Sequence, residues 1–127
     1  MPVKRRSLGV AVALGLCAAA FASSTQAAPS RVFLKVTPSS VHRGYDVVIS
    51  GNAGSCVVGD TVYVISRAFP HTHEFAGVSA VLARVHTGGA FRATTRIPVA
   101  RAPGRYIVTA RCGGGNLGVA AHLVVLR

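Results

Sequence analysis

Beyond Pro29 the chain never sustains an apolar repeat of 3.6 residues long enough for a helix. Short β-rich runs instead alternate with clusters of Gly, Pro, Asn and Ser. Seven runs can be read. They cover residues 32–36, stopped by Thr37-Pro38; 45–50, entered through Arg43-Gly44; and 61–67, entered through Gly59-Asp60. Next come 78–86, and 90–97 after Gly88-Gly89. The last two are 105–111 after Pro103-Gly104, and 118–126 after Gly113-Gly114-Gly115-Asn116. Within them the side chains alternate. Tyr106, Val108, Ala110 and Cys112 share one face, with Arg105, Thr109 and Arg111 on the other. Likewise Phe91, Ala93, Thr95 and Ile97 oppose Arg92, Thr94 and Arg96. Seven short strands with one buried and one solvated face predict an all-β, two-layer sandwich.

The first residues follow a different grammar. Lys4, Arg5 and Arg6 precede an uncharged apolar run over residues 8–22, then Ser23-Ser24-Thr25-Gln26 and Ala27-Ala28-Pro29. This is the three-part pattern of a cleaved secretion signal, with small residues at Thr25 and Ala27 for the peptidase. The apolar run is shorter than the ~18–20 residues a membrane-crossing helix needs. Cys17 follows Leu16 and lies inside the run, so it does not read as a lipidation site. The expected division is a signal peptide over 1–27 and one secreted domain over 28–127, with no transmembrane segment in the mature chain. Only Cys56 and Cys112 remain in that domain, and in an oxidising compartment they predict one disulfide. By chain entropy such a loop is worth up to ~4 kcal/mol, comparable to the net stability of a small domain.

The charge is strongly positive. Fourteen Lys and Arg oppose three acidic residues; without Lys4, Arg5 and Arg6 the domain keeps a formal charge of +8. Such a charge biases a protein toward anionic surfaces without naming one. Arg92 with Arg96, and Arg105 with Arg111, fall on outward strand faces, and Arg84 joins them if the fourth and fifth strands pair. They form a candidate patch for an anionic cell-envelope polymer. Nucleic acid is disfavoured as a partner, because no aromatic residues interleave with these arginines along their strands.

Val36-Thr37-Pro38-Ser39-Ser40, Arg43-Gly44 and Val47-Val48-Ile49-Ser50-Gly51 together resemble the opening of secreted bacterial immunoglobulin-like domains, notably actinobacterial ones. Pro103-Gly104-Arg105-Tyr106-Ile107-Val108 is similar to their penultimate strand, and Arg111-Cys112-Gly113-Gly114-Gly115-Asn116 to a variant in small secreted proteins of that group. The resemblance implies an immunoglobulin-like sandwich whose second and sixth strands face each other across the core. The disulfide then staples the sheets near one end. The antibody-type tryptophan is missing, and Tyr106 stands six residues before Cys112. The opening also resembles the antitumour chromoprotein apoproteins, which implies a small-ligand carrier; those have two disulfides, against one available here.

Phe69-Pro70-His71-Thr72-His73-Glu74-Phe75 is the sharpest local feature. On an extended segment His71 and His73 project to one side and reach one copper or zinc ion, with Glu74 or His86 as further ligands. His71-Thr72-His73-Glu74-Phe75 also resembles the copper-ligand signature of Cu,Zn superoxide dismutases, which would make both histidines copper ligands. The remaining histidines, His42, His86 and His122, are scattered, and no long metal loop is present. The competing expectation is a polar loop whose histidines face water. Gly113 to Gly115 lacks the Lys-Ser/Thr ending of a phosphate loop and reads as a hairpin connection. With the acidic residues apart in sequence, and no elbow around Ser66 or Ser79, no catalytic residue is expected. The chain therefore reads as a secreted, non-enzymatic immunoglobulin-like module acting at or outside the cell envelope, the alternatives being a metal-binding protein or a small-ligand carrier.

Overall fold

A computed structural model describes residues 31–127, together with residues 9, 13, 15 and 17–19. The expected signal segment and its cleavage position otherwise lie outside the described residues. Among the described residues no helix is long and apolar enough to cross a membrane.

Among the described residues nine strands form: β1 (Phe33–Thr37), β2 (Ser40–His42), β3 (Asp46–Asn52), β4 (Thr61–Ile65), β5 (His73–Phe75), β6 (Val78–Arg84), β7 (Ala90–Arg96), β8 (Gly104–Cys112) and β9 (Gly115–Leu126). They build a three-stranded sheet, β1-β3-β7, and a six-stranded sheet, β2-β9-β8-β4-β6-β5. All pairings are antiparallel except β2 with β9. Each of the seven expected runs overlaps a strand. The two additions, β2 and β5, have three residues each and form the two edges of the larger sheet. Pro38 offers no ladder N–H, so the first strand stops there. The chain then crosses from the β3 side to pair beside β9. This is an immunoglobulin-like β-sandwich.

Each strand's alternation becomes a buried face. Val47 and Ile49 of β3 and Phe91 of β7 meet Val62 and Val64 of β4, Val108 and Ala110 of β8, and Leu123 and Val125 of β9. The core is built mainly of β-branched residues, whose stiff side chains suit a pleated surface. Phe69, from the β4–β5 connection, plugs it and is fully buried. Close approach is tightest at Gly51, where a Cβ would lie 2.2 Å from the Phe33 carbonyl and 2.6 Å from Phe91 Cζ.

At one end of the sandwich Cys56, just beyond β3, bonds to Cys112 at the close of β8, as the cysteine count predicts. Beside it Asn52 clips two loops together. Its Nδ2 donates to Gly88 O, and its Oδ1 accepts from Gly54 N, both at 2.8 Å. Gly113-Gly114 makes the β8–β9 turn, with Gly113 at φ 57° and Cys112 opposite Gly115. Tyr106 Oη donates to Ala102 O at 2.5 Å. It pins the entry to β8 despite standing six residues before the cysteine.

Candidate anion-binding face

Sheet membership re-sorts the arginines. Arg92 and Arg96 lie on β7 in the three-stranded sheet; Arg105 and Arg111 lie on β8 in the six-stranded sheet. Their outward faces are opposite surfaces of the sandwich, so the four do not form one patch. Arg96 is moreover paired, its Nε donating to Asp46 Oδ1 at 3.2 Å. The fourth and fifth predicted strands, β6 and β7, do not pair. Arg84, opposite Thr61 on β4, therefore belongs with the Arg105 and Arg111 side.

On the six-stranded sheet Val62 and Val64 point inward, so Tyr63 and Ile65 point out. The register sets Arg111 beside Tyr63, Thr109 beside Ile65, and Leu82 on Tyr63's other flank. From the edge, Phe75 of β5 reaches this row. Its ring centroid is 5.2 Å from that of Tyr63, and the Arg111 guanidinium sits 5.0 Å above it. Adjacent is a depression of about 500 Å³ lined by Ile65, Val78, Ile107 and Thr109, with Arg67 and Arg105 also lining it. Arg67 and Arg105 thus border an apolar floor, with Arg111 over the Phe75 ring beside it and Arg84 farther along the same outward face. Among the described residues, none of these four makes an ion pair. Asp46 is engaged on the other sheet, Asp60 lies in the β3–β4 connection, and Glu74 approaches His71. Arg67 and the aromatic pair were not legible in sequence as parts of this face. The aromatic residues expected to be absent beside the charges arrive from β4 and β5, neither of which carries the arginine they meet.

The histidine segment departs from the expected geometry. His71 and Thr72 form a turn, and only His73 opens β5, so the same-side rule for extended chain does not apply. His71 Nδ1 is 2.8 Å from Ser79 Oγ, whereas His73 stands opposite Ala80. Ser79 and Ala80 project to opposite faces of β6. The two imidazoles line different recesses, His71 with Arg67 and Arg101, His73 with Pro70, Thr72 and Leu82. Among the described residues, the cluster with three metal-ligand groups within 4.8 Å is Cys56, Asp60 and Cys112, whose two sulfurs are already joined. Ser79, His71 and Glu74 form a contact that sequence did not suggest. Glu74 Oε1 lies 3.6 Å from the same Nδ1 that meets Ser79. A nucleophilic relay needs serine and carboxylate on opposite ring nitrogens. Ser79 is also 1% exposed. The trio is a positioning contact.

No protein-family model matches the chain, and no curated protein matches it in sequence. Among solved structures it is similar to the Pseudomonas fluorescens alkylpurine DNA glycosylase AlkC bound to DNA containing an abasic site analog. The identity is 18% and the TM-score 0.49, over 76% of this chain and 29% of the glycosylase chain. It is also similar to a chain from a structure of T cell specificity and activation by the bacterial superantigen toxic shock syndrome toxin-1. There the identity is 17% and the TM-score 0.37, over 76% of this chain and 100% of that one. This chain thus spans under a third of the glycosylase's length, and neither likeness bears on function.

Proposed function

We propose that this protein is an exported, non-enzymatic immunoglobulin-like module that binds an anionic polymer of the cell envelope through the outer face of its six-stranded sheet. The observation that carries the reading is the set Arg67, Arg84, Arg105 and Arg111 on one outward face, none ion-paired among the described residues, with Arg67 and Arg105 bordering an apolar floor. Guanidiniums present planar donor forks suited to phosphate and carboxylate groups. With the field summed over four of them, the face attracts a polyanion from beyond contact distance. The secretion pattern at the N-terminus and the resemblance to secreted bacterial immunoglobulin-like domains support an extracytoplasmic address. The disulfide agrees with it.

A phosphate- or carboxylate-bearing glycopolymer suits the face better than single-stranded nucleic acid. Phe75 has one ring face under Arg111 and is tilted against Tyr63, so it is already engaged where a base would stack. The test is retention on isolated cell walls at rising salt. Retention falls steeply toward 1 M salt, where the screening length is ~3 Å. The double substitution Arg105→Ser with Arg111→Ser abolishes it, and Arg92→Ser with Arg96→Ser, on the opposite surface, leaves most of it. Equal loss from both pairs, or retention indifferent to salt, rejects the face.

A further inference from the structure

At the end of the sandwich away from the disulfide, the β4–β5 connection and the loop between β7 and β8 enclose a recess of about 280 Å³. It is lined by Arg67, His71, Gly77, Val78, Ser79 and Arg101. We propose that this recess is a site for a compact oxyanion of the phosphate class, distinct from the polymer-binding face and sharing only Arg67 and Val78 with it. The reading stands whether or not the face binds a polymer.

Arg101 is the centre of the case. It is half-buried and donates from Nη2 to Phe69 O at 3.0 Å, while its Nε is enclosed without a hydrogen-bond partner. Among the described residues no carboxylate ion-pairs with it. A partly desolvated guanidinium with an unmet donor and no counter-charge is costly to keep, and an anion beside it recovers part of that cost. The recess places a second guanidinium, Arg67, in the same lining. The other polar groups there are the Ser79 hydroxyl and the His71 imidazole, 2.8 Å apart and locked together. The wall is therefore formed of donors, or groups able to donate, and a metal cation finds two positive charges.

Its rigidity follows from the local sequence. Phe69 is fully buried and anchors the connection; Ala68 N donates to Ser66 Oγ and Phe69 N to Ser66 O, closing the turn that carries Arg67. Arg101 ties the β7–β8 loop to that turn through Phe69 O. Both guanidiniums thus stand on loops held by a core residue, and a site positioned in advance loses less freedom on binding. Gly77, at φ 79° in the β5–β6 turn, leaves one rim bare, since a Cβ there meets nothing within 4 Å. This leaves room for a phosphate with the first carbons of an ester. One carboxylate lies nearby: Glu74, 3.6 Å from His71 Nδ1 and about half exposed. It opposes an anion, and this gives the proposal a sign that can be measured.

The experiment is calorimetry on the oxidised domain at low ionic strength, with inorganic phosphate and glycerol 3-phosphate titrated in parallel and chloride as the simple-anion control. Saturable one-to-one binding of either phosphate is expected. Arg67→Met weakens it at least fivefold, Glu74→Gln tightens it severalfold, and Arg111→Ser leaves it within twofold. Tighter binding of the ester identifies an ester end group as the source; tighter inorganic phosphate identifies the free ion. Arg101→Met should abolish binding. Because it also removes the Phe69 contact, the Arg101 Nε–H resonance in the unaltered protein is followed as well, and it must shift with phosphate and not with chloride. The proposal is overturned if neither phosphate saturates by 10 mM. It is equally overturned if chloride competes as well as phosphate, or if Arg67→Met and Arg111→Ser act alike. Failure of cell-wall retention with phosphate binding intact removes the polymer face alone.

Discussion

Replacing Gly51 by alanine tests the packing of the three-stranded sheet at its tightest point. The new methyl would lie 2.2 Å from the Phe33 carbonyl oxygen and 2.6 Å from Phe91 Cζ. The ring can rotate or tilt; the carbonyl belongs to the β1 backbone paired to β3 and cannot leave without breaking the ladder. Overpacking costs ~1–3 kcal/mol, and the backbone component places this site near the top of that range. The alanine also restricts the unfolded chain, which offsets ~0.4–1 kcal/mol. The net expectation is a loss of about 2 kcal/mol, or roughly 8–16 °C in Tm at ~4–8 °C per kcal/mol for a domain of this size. Circular dichroism melts of the oxidised protein measure it. Gly114→Ala is the control, since a Cβ there meets nothing within 4 Å and its φ is not left-handed; it should stay within ~0.5 kcal/mol of the parent. A Gly51→Ala melt within 3 °C or so of the control would refute the close approach of β1 and β3. Full rescue by Phe91→Leu would also refute it, because that change relieves the ring and leaves the carbonyl in place.

Three further outcomes are expected. Asn52→Ala removes the clip between Gly88 O and Gly54 N and should cost ~1–3 kcal/mol, read as a lower urea midpoint at unchanged slope. Phe69→Ala should cost ~3–5 kcal/mol by emptying a fully buried site, and it should loosen the Arg101 loop, seen as faster amide exchange at Arg101 and at the substituted position. The oxidised domain should show no titratable thiol at Cys56 or Cys112 in denaturant, and reducing the bond should lower stability by ~2–5 kcal/mol in parallel urea titrations.

Much of the framework could be read from local pattern, because period-two alternation is imposed residue by residue. The faces assigned to residues 90–97 and 105–111 match those the sandwich buries: Phe91 and Ile97 are inside, as are Val108 and Ala110. The disulfide followed from counting. The two extra strands are three residues long and carry too few alternations to register, and the turn at His71-Thr72 hides the start of β5. The candidate site was legible only in part. Alternation shows which way Arg92 or Arg105 faces within its strand, but not which sheet the strand joins. Pairing between distant segments decides that, and it sent the two arginine pairs to opposite surfaces. The Arg111–Phe75–Tyr63 row draws on three strands, and the recess around Arg101 on three loops and a strand. No single window of sequence contains either.

The borders of the two sheets carry a consequence for solubility. The larger sheet ends on both sides in strands of three residues, which leave a newcomer almost no ladder to extend. The smaller sheet has no such stubs: β1 and β7 are its flanks, and β7 runs for seven residues. Lys35 on β1 and Arg92 and Arg96 on β7 stand along those flanks. Cations so placed repel a second copy of the same flank and deter strand-to-strand growth. Lys35 and Arg92, whose charges are not paired among the described residues, thus disfavour edge-to-edge growth between copies at high local concentration.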